Sequence, residues 1–218
     1  MKIAVNKAHF PVTVLGPGRR IGIWLQGCRI RCKGCVSQDT WEADPDRETT
    51  VARLLAWCRK ISAGKFDGVT ISGGEPFDQS QALAALVAAL VAWRETGGPD
   101  FDILCYSGYP LATLQKRHAA LLAQLDAIIP EPFVESLPLT HLWRGSSNQS
   151  LVPLSDRGRA RHAAFVDAAA DSFGKRIQAG LDGQRIWFVG IPARGDMAAL
   201  EANCAARGVE LSKVSWRQ

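Results

Sequence analysis

Between Arg20 and Ile129, short apolar runs of β type alternate with longer runs of helical spacing. That order restricts the chain to an α/β layout around a largely parallel sheet. Strands are expected at Val12 to Leu15 and Arg20 to Leu25, on either side of the turn Gly16-Pro17-Gly18. Thr49 or Thr50 caps a helix that runs to about Ile61 and stops at Gly64. Strand Gly68 to Ile71, helix Gln79 to Trp93, strand Phe101 to Tyr106, helix Leu111 to Gln124 and strand Leu125 to Ile129 follow. Such repeated units suit an open or partial (β/α) barrel, with chemistry at the carboxyl ends of the strands. A long polar connection from Leu137 to Asp156 leads to a helix from Arg159 to Ala170. A hairpin of Lys175 to Ala179 with Arg185 to Val189, a helix from Ala198 to Ala206 and a strand from Val209 to Val214 complete the chain. The expectation is one domain over 1–218, with a core at about 12–150 and a C-terminal α+β extension at about 151–218.

Composition narrows the class further. With 47% hydrophobic and 22% charged residues, the chain has the balance of a soluble globular protein. Its longest apolar run, Ala82 to Ala92, is too short to span a bilayer and reads as a buried helix. The segment Met1 to Lys7 carries no secretory pattern, so a cytoplasmic location is expected. The net charge is +5, yet the basic residues are spread out with no Lys/Arg tract, which excludes nucleic acid as an expected partner. Six cysteines in a non-secreted chain argue for metal or catalytic use rather than a disulfide framework. Cys58, Cys105 and Cys204 stand in apolar contexts and read as packing.

The other three cysteines form the loop Cys28-x-x-x-Cys32-x-x-Cys35 after the strand Arg20 to Leu25. An iron–sulfur cluster of the four-iron type has four corners, so three protein sulfurs leave one iron open to a substrate or cosubstrate. Arg29, Arg31 and Lys33 make the loop electropositive and should favour thiolates. The alternative is a zinc loop with a fourth ligand from His9, His118 or Cys58. His9, His118, His141 and His162 show no paired ligand spacing.

Strand Val69-Thr70-Ile71 runs directly into Ser72-Gly73-Gly74-Glu75-Pro76, which places two glycines at a strand's carboxyl end, where backbone can approach a ligand without a Cβ in the way. With both motifs in view, the chain resembles the radical S-adenosylmethionine enzymes, and within them the glycyl radical enzyme activases, especially the anaerobic ribonucleotide reductase activating proteins. The resemblance is carried by Gly16-Pro17-Gly18-Arg19-Arg20, Gln26-Gly27-Cys28, Cys32-Lys33-Gly34-Cys35, Thr40-Trp41, Ser72 to Gln79, Tyr106-Ser107-Gly108-Tyr109 and Trp143 to Gln149, with a weaker echo at Phe188 to Pro192.

The resemblance implies a partial (β/α) barrel of the radical S-adenosylmethionine type. It implies that Cys28, Cys32 and Cys35 bind three irons of a 4Fe-4S cluster, with S-adenosylmethionine on the open iron. Gly73, Gly74 and Glu75 would hold the methionine amino group, with Pro76 fixing the turn. Ser107 and Gly108 would line the cosubstrate site, although Ser-Gly is also an ordinary strand-ending turn. Asn148 and Arg144 would contact cosubstrate or partner, against the alternative of a solvated loop. Arg20 would engage a carbonyl of the substrate peptide. Trp24 and Trp41 read as packing that keeps the site dry. The implied partners are a glycyl radical enzyme and an electron donor such as flavodoxin or ferredoxin. Two other readings stand beside this one: direct modification of a small molecule or peptide by the same chemistry, and a metal-bearing module without catalysis. Pro130-Glu131-Pro132-Phe133 departs from the Asp-Gly-Pro-Phe of the resembling activases, so the substrate-facing surface is expected to differ.

Overall fold

The structure is a computed structural model and describes residues 1–172, 174–183 and 185–217. Strands β1 (Lys2–Val12), β2 (Arg20–Leu25), β3 (Glu48–Thr50), β4 (Gly68–Gly73), β5 (Asp102–Tyr106), β6 (Ala127–Ile129) and β7 (Val152–Pro153) form one sheet in the order β3-β1-β2-β4-β5-β6-β7. The central four, β2, β4, β5 and β6, are parallel, and the margins are antiparallel. Helices α1 (Val51–Ser62), α2 (Ser80–Glu95) and α3 (Leu111–Leu122) lie in the crossovers that parallel neighbours require. The mixed α/β arrangement with a mostly parallel sheet is thus the expected one. Thr50 caps α1 by accepting from the Arg53 amide at 3.2 Å, and the helix ends at Ala63 in the left-handed region.

Strand alternation sorts the side chains between the two faces. Ile21, Ile23, Leu25, Val69, Ile71, Ile103 and Ile128 point to the helices, where Leu54, Leu83, Leu86, Leu90 and Leu114 meet them in the main core. The opposite face carries Arg20, Trp24, Thr70, Asp102 and Leu104, and among the described residues no layer of long helices covers it. Two smaller clusters do so instead. Leu142, Trp143 and Leu151 pack on Leu104, Ala127 and Ile129, while Val189 packs on Val12, Leu15 and Trp24.

Several elements differ from expectation. The first strand is Lys2–Val12, not Val12 to Leu15. Its Lys2, Asn6, Lys7 and His9 hide the β pattern, and pairing to β2 and β3 holds it in place. The helix expected from Arg159 to Ala170 is the shorter α4 (Asp156–His162), started by Ser155 capping the Gly158 amide at 2.9 Å and followed by a 3-10 turn at Ala163–Phe165. The hairpin is present as β8 (Ile177–Asp182) and β9 (Arg185–Gly190), followed by α5 (Asp196–Ala205). No strand forms at Val209 to Val214; the Val209 amide turns back onto Cys204 O at 2.9 Å and the segment runs on as tail.

Candidate metal and cosubstrate site

A cavity of about 630 Å³ opens at the carboxyl ends of β2, β4 and β5, within the range of small-molecule sites. Cys28, Cys32 and Cys35 line it together with Gly73, Gly74, Glu75, Ser107 and Gly108. The fold therefore brings both sequence motifs to one space. Of the suggested fourth zinc ligands, none joins them. His9 stacks on Trp187 with ring centroids 4.5 Å apart, His118 lies 5.2 Å from the Phe77 ring, and Cys58 is buried in the helix-side core. Among the described residues no group of three or more His, Cys, Asp or Glu closes around a single ion.

The cysteine loop is tied down by backbone bonds on both sides. Gly27 and Cys28 donate to the carbonyls of Thr40 and Trp41 at 2.7 and 2.9 Å, and Glu75 donates to Gly27 at 2.8 Å. Burial pushes all three thiols up from their ordinary value, and backbone N–H groups of Arg31 and Ile30 at Cys28, Phe133 at Cys32 and Ser37 at Cys35 act in the opposite sense. The expected cationic influence is corrected. Arg31 pairs with Glu42 at 2.8 Å and Lys33 with Glu135 at 3.4 Å, both at the surface where such charges are well screened. At Cys35 the Ser37 amide, which donates to the sulfur at 3.4 Å, is among the groups that work against burial. Three sulfurs on one cavity wall, each supplied with backbone donors, fit a cluster with cysteine ligands.

The glycine pair is explained by the chain itself. A Cβ on Gly73, whose φ is +116°, would meet the Leu25 amide nitrogen at 2.2 Å, and one on Gly74 would meet the Gly27 carbonyl oxygen at 2.1 Å. The space left by the missing Cβ atoms is filled by the end of β2 and the entry to the cysteine loop. Both residues still line the cavity. Glu75 is buried and its carboxylate accepts from Ser107 Oγ at 2.8 Å, the Gly108 amide at 2.7 Å and the Phe77 amide at 3.0 Å. Burial raises its pKa to about 7 despite those donors. Glu75 thus joins the end of β4 to the end of β5. Asp78 makes a second bridge, accepting from the Arg29 amide at 2.9 Å and the Tyr109 hydroxyl at 2.7 Å.

Other assignments are corrected. Arg20 faces no substrate: it is fully buried, and its five donors reach Thr70 Oγ1, Pro17 O, Val69 O and both oxygens of Asp102. Gly68 makes room for it, since a Cβ there would lie 2.1 Å from Arg20 Nη1. Arg144 is also buried and donates to the carbonyls of Leu142 and Phe165, away from the cavity. Asn148 is exposed and off the cavity wall; it donates to Pro132 O at 2.8 Å, and its neighbour Gln149 lines the wall instead. Pro76 is buried at the start of the turn Pro76–Gln79 and does not reach the cavity.

Sequence reasoning missed a second wall. Phe188, Ile191, Met197 and Trp216 from the C-terminal extension line the same cavity, together with Phe133 and Gln149. Gln178 anchors the hairpin by bonding Pro11 O and the Thr13 amide at 2.8 and 3.0 Å. The tail is pinned to the cysteine loop by Gln38 N to Ser215 O at 2.7 Å and Ser215 Oγ to Val36 O at 2.9 Å. The echo at Phe188 to Pro192 was the only sequence signal for this wall.

An α/β protein with a three-thiol site at its strand ends is the class that fold and geometry define. The chain belongs to the family of 4Fe-4S single cluster domains, whose profile matches residues 14–152. It is similar to the anaerobic ribonucleoside-triphosphate reductase-activating proteins of Vibrio cholerae, at 34% identity over 146 residues covering 65% of this chain and 92% of the relative, and of Enterobacteria phage T4, at 31% over 139 residues covering 63% and 86%. The protein of the same name from Escherichia coli is 28% identical over 145 residues, covering 65% and 93%. Among solved structures, QueE from Escherichia coli superposes with a TM-score of 0.40 at 25% identity, over 50% of this chain and 53% of QueE. Residues 153–218 lie outside the family match.

Proposed function

We propose that this chain is a radical S-adenosylmethionine activase that installs a glycyl radical on a partner enzyme, an anaerobic ribonucleotide reductase. The observation that carries the reading is the meeting of Cys28, Cys32 and Cys35 with Gly73-Gly74-Glu75 on one cavity, in a chain whose relatives are named as activators of that reductase. In this reading the open sheet is a partial (β/α) barrel, with helices on one face and the reaction space at its strand ends. Cys28, Cys32 and Cys35 would hold a 4Fe-4S cluster. When bound and reduced, cluster and S-adenosylmethionine together supply a 5′-deoxyadenosyl radical, which abstracts hydrogen. The protein's own part is placement and exclusion of water. Gly73, Gly74, Ser107 and Gly108 form the floor on which the cosubstrate rests, and the Glu75 carboxylate holds two strand ends at a fixed separation. Ile30, Phe133 and the apolar wall of the extension keep the space dry. The electron enters from a donor of flavodoxin or ferredoxin type.

The test is anaerobic reconstitution with iron and sulfide, then dithionite and S-adenosylmethionine, with 5′-deoxyadenosine measured by chromatography. The wild-type protein is expected to form it, and C32A to lose both the cluster and the product. C204S should retain both, because Cys204 lies on α5 and does not line the cavity. A loaded, reduced wild-type protein that forms no 5′-deoxyadenosine would overturn the reading.

A further inference from the structure

The indole Nε1–H of Trp41 is buried and has no formed hydrogen bond among the described residues. Cys35 lines the same cavity as Trp41, and the Trp41 side chain acts on the Cys35 thiol against the effect of burial. Its backbone is held from two sides: the Trp41 amide donates to Gln38 O at 3.0 Å, and its carbonyl accepts from the Cys28 amide at 2.9 Å. Trp41 is thus tied to the first cysteine by its main chain and shares the cavity wall with the third. An indole N–H can only donate, and a buried one ordinarily finds an acceptor. Leaving it without one is unfavourable, so the fold keeps a donor in reserve at this place. A neutral thiol is a weak acceptor; a sulfur that carries iron and negative charge is a strong one.

We propose that Trp41 donates its indole N–H to the Cys35 sulfur once that sulfur ligates iron, and thereby sets the reduction potential of the cluster. The inference rests on the cluster reading of the cysteine loop. The Ser37 amide already donates to the same sulfur at 3.4 Å, so Trp41 would add a side-chain donor to a backbone one at Cys35. Donors to a ligand sulfur stabilise the more negative, reduced state, and hydrogen bonding to sulfur is one of the levers that set cluster potentials. Trp41 is a positioning and tuning residue in this account. It breaks and forms no bond in the reaction.

The experiment is a redox titration of the reconstituted cluster, followed by electron paramagnetic resonance, in wild-type protein and in W41F. Phenylalanine keeps the ring and removes the donor. The expected result is a fully loaded cluster whose midpoint potential is more negative in W41F; an unchanged potential in a loaded variant overturns the proposal. Wild-type protein grown with tryptophan labelled with ¹⁵N at the indole gives a measurement that needs no variant at position 41. The reduced cluster should then show a ¹⁵N hyperfine coupling that persists in W24F and W216F, the other two tryptophans on the cavity wall. No coupling, or one that vanishes in either of those variants, overturns it. Wild-type protein that takes up no cluster overturns the cluster reading itself, and this inference with it.

Discussion

Two residues show how burial fixes the role of a charged side chain. Arg20 looked like a substrate contact, yet its bonds all run inward, with Nη1 and Nη2 bonded to Asp102 at 3.0 and 2.6 Å and His162 Nε2 2.8 Å from the same carboxylate. Burial alone would raise the Asp102 pKa, but Arg20 and His162 outweigh it and hold the carboxyl well below the usual range. A carboxyl depressed in the folded state contributes stability that is complete above its unfolded pKa of about 3.9 and is lost as the pH falls through the folded value. Urea unfolding of the cluster-free protein is therefore expected to show stability declining below about pH 4, with a shallower decline in D102N. At neutral pH the same variant should cost about 3–5 kcal/mol, because it leaves Arg20 buried without its counter-charge. Gly74 carries a different prediction. In G74A the new Cβ collides with the Gly27 carbonyl beside Cys28, so iron content after reconstitution should fall although no ligand has changed. Iron content equal to wild type would show that the two motifs are not packed as described.

At the scale of elements, the hairpin of β8 and β9 acts as a wall of a site whose chemistry lies elsewhere in the chain. Trp187 stacks on His9 of β1, Gln178 bonds Pro11 and Thr13, and Val189 fills the cluster around Trp24. Removing the stack with W187A should loosen this wall and let solvent into the cavity. The expected outcome is faster loss of the reconstituted cluster to a chelator, followed by its visible absorption, and faster proteolysis between residues 177 and 217. Equal rates in variant and wild type would assign the wall no protective role. The hairpin was readable from its two β-type runs around Leu181-Asp182-Gly183. Strand β1 was not, because a marginal strand with lysines and a histidine lacks the apolar run that marked β2, β4 and β5. The helix at 159–170 was overextended because periodicity continues past His162, where tertiary contacts of Trp143 and Phe165 take over from helical spacing.

For the whole molecule, the extension and the matched region are proposed to be one cooperative unit. His162 of α4, outside the family match, bonds Asp102 of β5 inside it, and Ser155 Oγ bonds Asp126 at 2.6 Å. Thermal unfolding of the cluster-free protein should therefore show one transition by both near- and far-ultraviolet circular dichroism; two separated transitions would mean two domains. No helix among the described residues is long and apolar enough to cross a membrane. The sequence by itself determined the α/β order, the three thiols and the glycine pair, since these rest on local periodicity and on spacing within a few residues. Only the tertiary structure decided that both motifs share a cavity, that Arg20 and Arg144 turn inward, that Asn148 yields its place to Gln149, and that the C-terminal segment closes the far wall. The reason is physical: a spacing states which chemistry neighbouring residues can perform together, whereas burial and long-range hydrogen bonds state which way each side chain must point.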